Sequence, residues 1–177
     1  MSANHARLIA LLSAIVVAAA LRLVPHPPNF TPIGAMALFS GAYLGRRTLA
    51  FAAPFAALAL SDAVLGFYPE VLFVYVSVAA IVLIGWTVST RKLPLGIAAA
   101  ALASSVLFYL VTNFGVWLMM DYYPKTSAGL VACYVAALPF FQNTVAGDLF
   151  YAALLFGGFG VAELLMPTLR SGQRQPA

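Results

Sequence analysis

Polar side chains interrupt several long apolar segments of the sequence and are the first candidates for chemistry. Two carboxylates, Asp62 and Asp148, and two amides, Asn113 and Asn143, lie among Ala, Leu, Val and Phe. An ionised carboxylate in a membrane-spanning helix costs about 2.5–3.5 kcal/mol, so it normally faces a partner or a water-filled cavity. Carboxylates and amides together can hydrogen-bond a small ligand. This pattern therefore predicts a binding site.

The residues needed for common catalytic or metal chemistry are missing from the sequence. It contains no phosphate-binding glycine loop, no nucleophile paired with a base at a recognisable spacing and no histidine-rich helix. The single Cys133 excludes an internal disulfide and a cysteine cluster, and His26 has no ligand-spaced neighbours. We therefore expect no enzyme activity, no cofactor and no metal site. A membrane-embedded enzyme that relies on two aspartates ranks as the last alternative.

The composition indicates which solvent surrounds the chain. Of its 177 residues, 63% are hydrophobic and 8% charged, whereas a soluble domain has roughly 45–50% apolar and about 25% charged residues. Disordered chains are rich in charge, and membrane barrels alternate over about 10 residues, so neither class fits. The sequence predicts an all-α integral membrane protein with a single multi-pass domain, residues 1–177, in the inner (cytoplasmic) membrane.

Charged residues and Pro/Gly clusters divide the chain into six apolar segments. A spanning helix needs about 20 apolar residues, and a compact bundle of six spans uses most of this chain. Residues 126–138 are too few to span and end at Pro139, which predicts a short interfacial or re-entrant helix before the last span. A cleaved signal peptide is the alternative for the first segment, which we interpret as an uncleaved span. The predicted spans are about 8–24, 30–44, 48–66, 71–89, 95–119 and 140–165.

The basic residues predict the orientation of these spans. With six spans and both termini inside, only Arg22 and Lys125 lie on the outer side, in agreement with the positive-inside rule. The net charge of +4 is therefore interpreted as topogenic, and we expect no nucleic acid partner. The seven inner basic residues are Arg7, Arg46, Arg47, Arg91, Lys92, Arg170 and Arg174.

On this topology the polar side chains gather in the outer half, where a pocket open to the outside would satisfy them together. The two carboxylates and two amides named above would hydrogen-bond a small-molecule ligand. Trp117 and Tyr68 would pack against it, and the loop Pro25–Pro32 would close over it. Two alternatives are structural: hydrogen bonds between helices, or ion pairs of the aspartates with Arg22 and Lys125. The predicted ligand-binding residues are Asp62, Asn113, Asn143, Asp148, Trp117, Tyr68, His26 and Asn29.

A stripe of small residues follows one face of the first helix. Ala10, Ala14 and Ala18 recur every four residues, and small residues at this spacing let helices approach closely in a membrane. Packing within the protein and docking to another membrane subunit both remain open.

Four stretches carry a family resemblance over nearly the whole chain. Residues 22–35 (RLVPHPPNFTPIGA), 61–62 (SD), 112–117 (TNFGVW) and 143–148 (NTVAGD) resemble an uncharacterised bacterial family of proposed transport membrane proteins. That family is distantly similar to the substrate-binding S components of energy-coupling factor (ECF) vitamin transporters.

The resemblance implies a six-helix protein that captures a vitamin or related micronutrient at the outer face for import. It also implies a first outer loop that acts as a lid, and an Ala-x-x-x-Ala stripe that docks on a membrane coupling subunit driven by ATPases. The loop Pro25–Pro32 and the residues Ala10, Ala14 and Ala18 match these two features. The alternative is a non-transporting accessory subunit of a larger membrane protein complex.

Overall fold

A computed structural model describes residues 3–45 and 48–170 of the chain. All regular structure within these ranges is helical, in an up-and-down order joined by short loops. The elements are α1 Ala3–Leu21, α2 Ile33–Leu44, α3 Thr48–Leu65, α4 Val71–Thr87, α5 Pro94–Met119, α6 Ser127–Ala152, a π-helical segment Ala153–Gly157, α7 Gly158–Leu165 and a 3₁₀ turn Pro167–Leu169.

The helices coincide with the predicted apolar segments. The helices α3, α4 and α5 match the predicted bounds to within two residues, and α1 begins five residues earlier than expected. Four helical stretches are long and apolar enough to cross a membrane: Asn4–Leu21, Thr48–Leu65, Pro94–Met119 and Ser127–Leu165. The all-helical prediction is confirmed, and the lengths fit a multi-pass membrane protein.

One predicted boundary is wrong. Residues 127–138 do not form a separate helix before the last span, because α6 runs through Pro139 without interruption. Prolines are tolerated within membrane helices when neighbouring groups satisfy the freed backbone carbonyl. Together α6, the π segment and α7 extend over 39 residues, or about 58 Å at 1.5 Å per residue. This length exceeds a hydrocarbon core of about 30 Å.

Helix α2 forms the centre of the bundle. Eleven of its 12 residues are buried, as expected for a helix that is apolar on all sides. It is about 18 Å long, which is shorter than the hydrocarbon core. The neighbouring helices enclose it. Its closest neighbour is α4: a Cβ added at Gly41 would lie 2.1 Å from the Val82 carbonyl oxygen, and one at Gly85 would lie 2.4 Å from that of Leu38.

The bundle has two ends with different charge. We call the end that carries residues 22–32, 66–70 and 120–126 the loop end; its basic residues are Arg22 and Lys125. The opposite end, which we call the basic end, carries Arg7, Arg91, Lys92 and Arg170. Arg46, Arg47 and Arg174 lie outside the described residues. Which end faces the cytoplasm remains a prediction.

Candidate functional site

A cavity of about 260 Å³ lies at the loop end of the bundle, and we call it the loop-end cavity. This volume lies just below the range of about 300–1,000 Å³ that is typical of ligand pockets, so the cavity has room only for a very small molecule. Five elements contribute to the walls: the segment 22–32, the segment 66–70 with α4, and the helices α2, α5 and α6. The lining residues are Arg22, Asn29, Thr31, Ile33, Gly34, Tyr68, Glu70, Val74, Phe108, Thr112, Asn113, Val116, Thr144 and Asp148.

Asp148 of α6 lies where the loop-end cavity meets the start of α2. Its side chain is almost fully buried, and Oδ2 accepts a 2.7 Å hydrogen bond from the Ser105 hydroxyl. The carboxylate also accepts a hydrogen bond from the Ala35 backbone N–H. The first N–H groups of a helix have no partner within it, and Pro32 at the N-cap provides no side-chain acceptor. Asp148 therefore caps α2 from another helix.

Glycine at position 34 permits this approach. A Cβ built on Gly34 would lie 2.3 Å from Asp148 Oδ1, which is well inside van der Waals contact. A carboxylate next to a helix N-terminus is also favoured electrostatically, because the unsatisfied N–H groups there carry partial positive charge. The position of Asp148 is thus explained by a structural role, and its place in the cavity wall comes in addition.

Asp62 does not line the cavity. It is fully buried, and its Oδ1 lies 2.5 Å from Arg22 Nη1. The same guanidinium donates to the Ser61 hydroxyl oxygen at 2.5 Å. Arg22, which does line the cavity, thus has its charge balanced by Asp62. Of the two ion pairs considered from the sequence, the structure contains that of Asp62 with Arg22, while Asp148 is bonded by Ser105.

Two residues of the loop between α3 and α4 face the cavity. Burial, together with the charge of Asp62, raises the pKa of Tyr68 to about 12 against the opposing effect of Arg22, so its hydroxyl stays protonated at neutral pH. Glu70 also lines the cavity. Its Oε2 atom is buried and has no hydrogen-bond partner among the residues that the structure describes. A ligand donor placed there would satisfy this oxygen.

The helical walls present acceptors to the cavity. Thr112 donates its hydroxyl proton to the Phe108 carbonyl at 2.7 Å, and Thr144 donates to that of Phe140 at 3.1 Å. Because a hydroxyl has one proton, both side chains then offer only oxygen lone pairs. Asn113 likewise donates from Nδ2 to the Tyr109 carbonyl at 2.8 Å.

The segment 22–32 is fastened over the cavity by α6. Asn143 Nδ2 donates a 2.9 Å hydrogen bond to the Pro28 carbonyl, and a Cβ at Gly147 would lie 3.2 Å from Phe30 Cα. Asn29, at the turn of this segment, has φ 62°, a left-handed conformation that Asn adopts more readily than most residues.

The structure brings together half of the predicted binding residues. Asn29, Tyr68, Asn113 and Asp148 line the loop-end cavity. The residues Asp62, Asn143, His26 and Trp117 are absent from its wall.

Those four residues have other contacts. Asp62 holds Arg22 and Asn143 holds the Pro-rich loop, as described above. His26 Nδ1 lies 2.9 Å from the Pro27 carbonyl oxygen, and Trp117 Nε1 donates to the Pro124 carbonyl at 2.9 Å. Asp62 and Asn143 therefore support the cavity from outside its surface.

Sequence reasoning did not assign Arg22 and Glu70 to the site. The sequence predicts Arg22 as a topogenic charge or an ion-pair partner of the aspartates, and no role is predicted for Glu70. The available signal was their position: each is a charged residue next to an apolar segment, at the end where the other polar residues gather.

The alanine stripe lines a separate groove. Ala10, Ala14 and Ala18 face a space of about 400 Å³ between α1 and the segment from Tyr151 to Leu169. The stripe is therefore not fully used in packing within the bundle. In the described ranges no three His, Cys, Asp or Glu side chains are grouped so that they could hold a metal ion.

Comparison with known proteins gives one match. No curated protein and no solved structure matches the chain. A family model described as a family of unknown function, DUF6580, matches residues 2–169. Because this match covers most of the sequence, the chain belongs to the DUF6580 family.

Proposed function

We propose that this protein is a membrane-embedded binding protein that captures a small solute in the loop-end cavity and takes part in its import. The observation that carries the proposal is a cavity lined by polar side chains, among them the buried Asp148 and the unpartnered Oε2 of Glu70, and bordered by a loop that hydrogen-bonds to α6. Buried polar groups in an apolar bundle are costly unless something satisfies them. A ligand would do so at the cavity surface.

The charges and hydrogen-bonding groups favour a ligand that donates hydrogen bonds. Glu70 and Asp148 contribute carboxylates, whereas Arg22, the cation in the wall, is already paired with Asp62. Thr112 and Thr144 present acceptors. A small amine or another solute rich in N–H and O–H groups complements this surface, with Tyr68 available to pack against it.

Import is supported by the family resemblance seen in the sequence. The resemblance to S components of ECF transporters suggests capture of a vitamin or related micronutrient from outside the inner membrane. The sequence lacks nucleotide-binding motifs, so a membrane coupling subunit and its ATPases would supply the energy. On this proposal the loop end faces outward.

Native mass spectrometry of the full chain, gently solubilised from its host membranes, tests ligand capture. We expect a small-molecule adduct that is lost in Glu70→Gln, because the amide replaces an acceptor oxygen with a donor. Asp121→Asn is the matched control, since Asp121 is an exposed carboxyl residue near the loop end that does not line the cavity. An adduct-free protein, or one whose adduct survives Glu70→Gln, would refute the assignment.

The accessory-subunit alternative is favoured by a different observation, the groove beside α1. Ala14 and Ala18 lie in this apolar groove, where a helix of another membrane protein could approach closely. A stoichiometric complex that lacks both ATPases and adduct, and dissociates in an Ala14→Leu variant, would support this function over solute capture.

A further inference from the structure

A second cavity lies at the basic end, on the opposite side of the membrane-spanning region from the loop-end cavity. It measures about 430 Å³, and we call it the basic-end cavity. Its walls come from α5, α6, the π segment and α7, with Tyr43 of α2 and Lys92 of the α4–α5 loop at one side. The lining residues are Tyr43, Lys92, Pro94, Ile97, Ala98, Leu149, Ala152, Ala153, Phe156, Gly157, Gly160 and Glu163.

The polar and apolar parts of this cavity are separated. Three lining residues carry polar side chains: Tyr43, Lys92 and Glu163. The remaining surface consists of aliphatic side chains, Phe156, glycines and Pro94. Such a wall suits a hydrocarbon chain, and the polar side suits a headgroup.

In the part of the chain that the structure describes, the acidic residue at the polar side, Glu163, pairs with Arg7 and not with Lys92. The Arg7 guanidinium also donates to the Leu169 carbonyl. Lys92 Nζ donates to the Ser89 carbonyl at 2.6 Å and lies 4.6 Å from the centroid of the Tyr43 ring. It forms no ion pair within residues 3–45 and 48–170.

The surroundings of Lys92 favour the binding of an anion next to its ammonium group. Burial and the neighbouring Arg7 lower the pKa of Lys92, while Glu163 acts in the opposite direction. Burial and the like charge of Arg7 therefore destabilise the charged form of this half-buried ammonium, and a bound anion would stabilise it. Basic pockets between membrane helices bind anionic lipid headgroups for the same reason.

We propose that the basic-end cavity binds a membrane lipid with an anionic headgroup. The headgroup phosphate contacts Lys92, and part of an acyl chain lies against Ile97 and Phe156. Two observations favour a lipid over a free anion: most of the wall is apolar, and large apolar side chains nearby, such as Leu95, are exposed on the bundle surface. This site is separate from the loop-end cavity and does not depend on solute capture.

The glycines in the wall allow the cavity to be filled without disturbing the fold. A Cβ built at Gly157 or Gly160 meets no atom within 4 Å. A leucine at position 160 would extend into this open space, and leucine is a far better helix former than glycine. Gly160→Leu therefore blocks the acyl side while leaving the ionic side intact.

The test measures lipid binding to the full chain in detergent by native mass spectrometry and thermal shift. The probes are phosphatidylglycerol and phosphatidylcholine with identical acyl chains, and inorganic phosphate. We expect preferential binding of phosphatidylglycerol, weakened about tenfold by Lys92→Gln, as for loss of one charged hydrogen bond. Arg91→Gln is the control, because Arg91 is exposed, adjacent in sequence and absent from the cavity wall. Gly160→Leu should also weaken binding.

Each alternative result contradicts a defined part of the proposal. Equal binding of the two lipids would show that the headgroup charge is not recognised. Equal losses in Lys92→Gln and Arg91→Gln would indicate a diffuse electrostatic effect. Stabilisation by inorganic phosphate as large as that by phosphatidylglycerol, with no effect of Gly160→Leu, would identify an anion site without a lipid chain.

Discussion

The carboxylate of Asp148 occupies the space that a side chain at Gly34 would need. The two residues lie on different helices, α6 and α2, and a Cβ at position 34 would come within 2.3 Å of Asp148 Oδ1. The glycine therefore admits an acceptor from outside the helix to the first turn of α2. Through this contact the N-terminus of the central helix and the wall of the loop-end cavity depend on each other.

Gly34→Ala should displace Asp148 and destabilise the protein. The added methyl group clashes with a carboxylate that Ser105 holds in place, and overpacking of this kind costs about 1–3 kcal/mol. We expect a lower thermal unfolding midpoint in detergent. Gly96→Ala is the matched control, since the nearest atom to a Cβ there lies 3.9 Å away; an equal loss in both variants would argue against the cap.

Gly41→Ala and Gly85→Ala should each separate α2 from α4. The clashing atoms are backbone atoms of the facing helix, at 2.1 Å for Gly41 and 2.4 Å for Gly85, so no side-chain rotation can relieve them. We expect lower yields of folded protein and lower midpoints, by at least as much as for Gly34→Ala. Gly96→Ala is the control, because the nearest atom to a Cβ there lies 3.9 Å away, and we expect its unfolding midpoint to stay close to that of the unchanged protein. Unchanged midpoints in the first two variants would contradict the close approach.

Arg22→Ala should destabilise the protein more than the removal of both ion-pair partners, Arg22 and Asp62. It leaves the fully buried Asp62 without its counter-ion, and breaking a buried pair in this way costs about 3–5 kcal/mol. The double variant Arg22→Met, Asp62→Leu removes both charges and should recover much of the loss. A double-mutant cycle of unfolding midpoints measures the coupling, and additive losses would show that the two side chains act independently.

Phosphatidylglycerol affinity at the basic-end cavity should fall as the pH rises. The headgroup requires the charged ammonium of Lys92. Burial and the charge of Arg7 lower the pKa of this group from its usual value of 10.5, and the charge of Glu163 opposes the shift. The ring of Tyr43 also lies next to the ammonium. Protonated lysine predominates below the pKa, so affinity should be highest at neutral pH and should decline at a lower pH than for an exposed lysine.

Lys92→Arg is the control for this pH profile. A guanidinium remains protonated throughout the accessible range, so its lipid affinity should stay nearly constant with pH. A parallel decline in both proteins would assign the pH dependence to another group.

The helices could be predicted because each apolar run is bounded by charges, prolines or glycines. The break at Pro139 was the exception: the rule that proline ends helices applies in water, whereas a helix packed in an apolar bundle continues through it. The burial of 11 of the 12 residues of α2 could not be predicted either, since a helix that is apolar on all sides can be buried in the bundle or face lipid.

The candidate site could be predicted as a region, but not residue by residue. Depth along the helices placed Asn113 and Asp148 at the same end, and both line the cavity. The depth of a residue along its helix does not determine which way its side chain points around the helix axis. Asp62 lies at the predicted end but faces Arg22 and not the cavity. The sequence predicts Lys92 only as a topogenic charge, because the cavity beside it also requires Tyr43 and residues between 149 and 163, which are far away in the sequence.

The π segment Ala153–Gly157 has a consequence for the phase of the last helix. A π turn holds one residue more than an α turn, and each residue of an α-helix advances the wheel by about 100°. If this turn tightened into regular α-helix, everything after Gly157 would rotate by about that angle, and Glu163 would swing away from Arg7. Deleting one residue from the segment would instead preserve the alignment. The π conformation thus absorbs one residue and keeps the face of α7 that carries Glu163 directed towards Arg7 of α1.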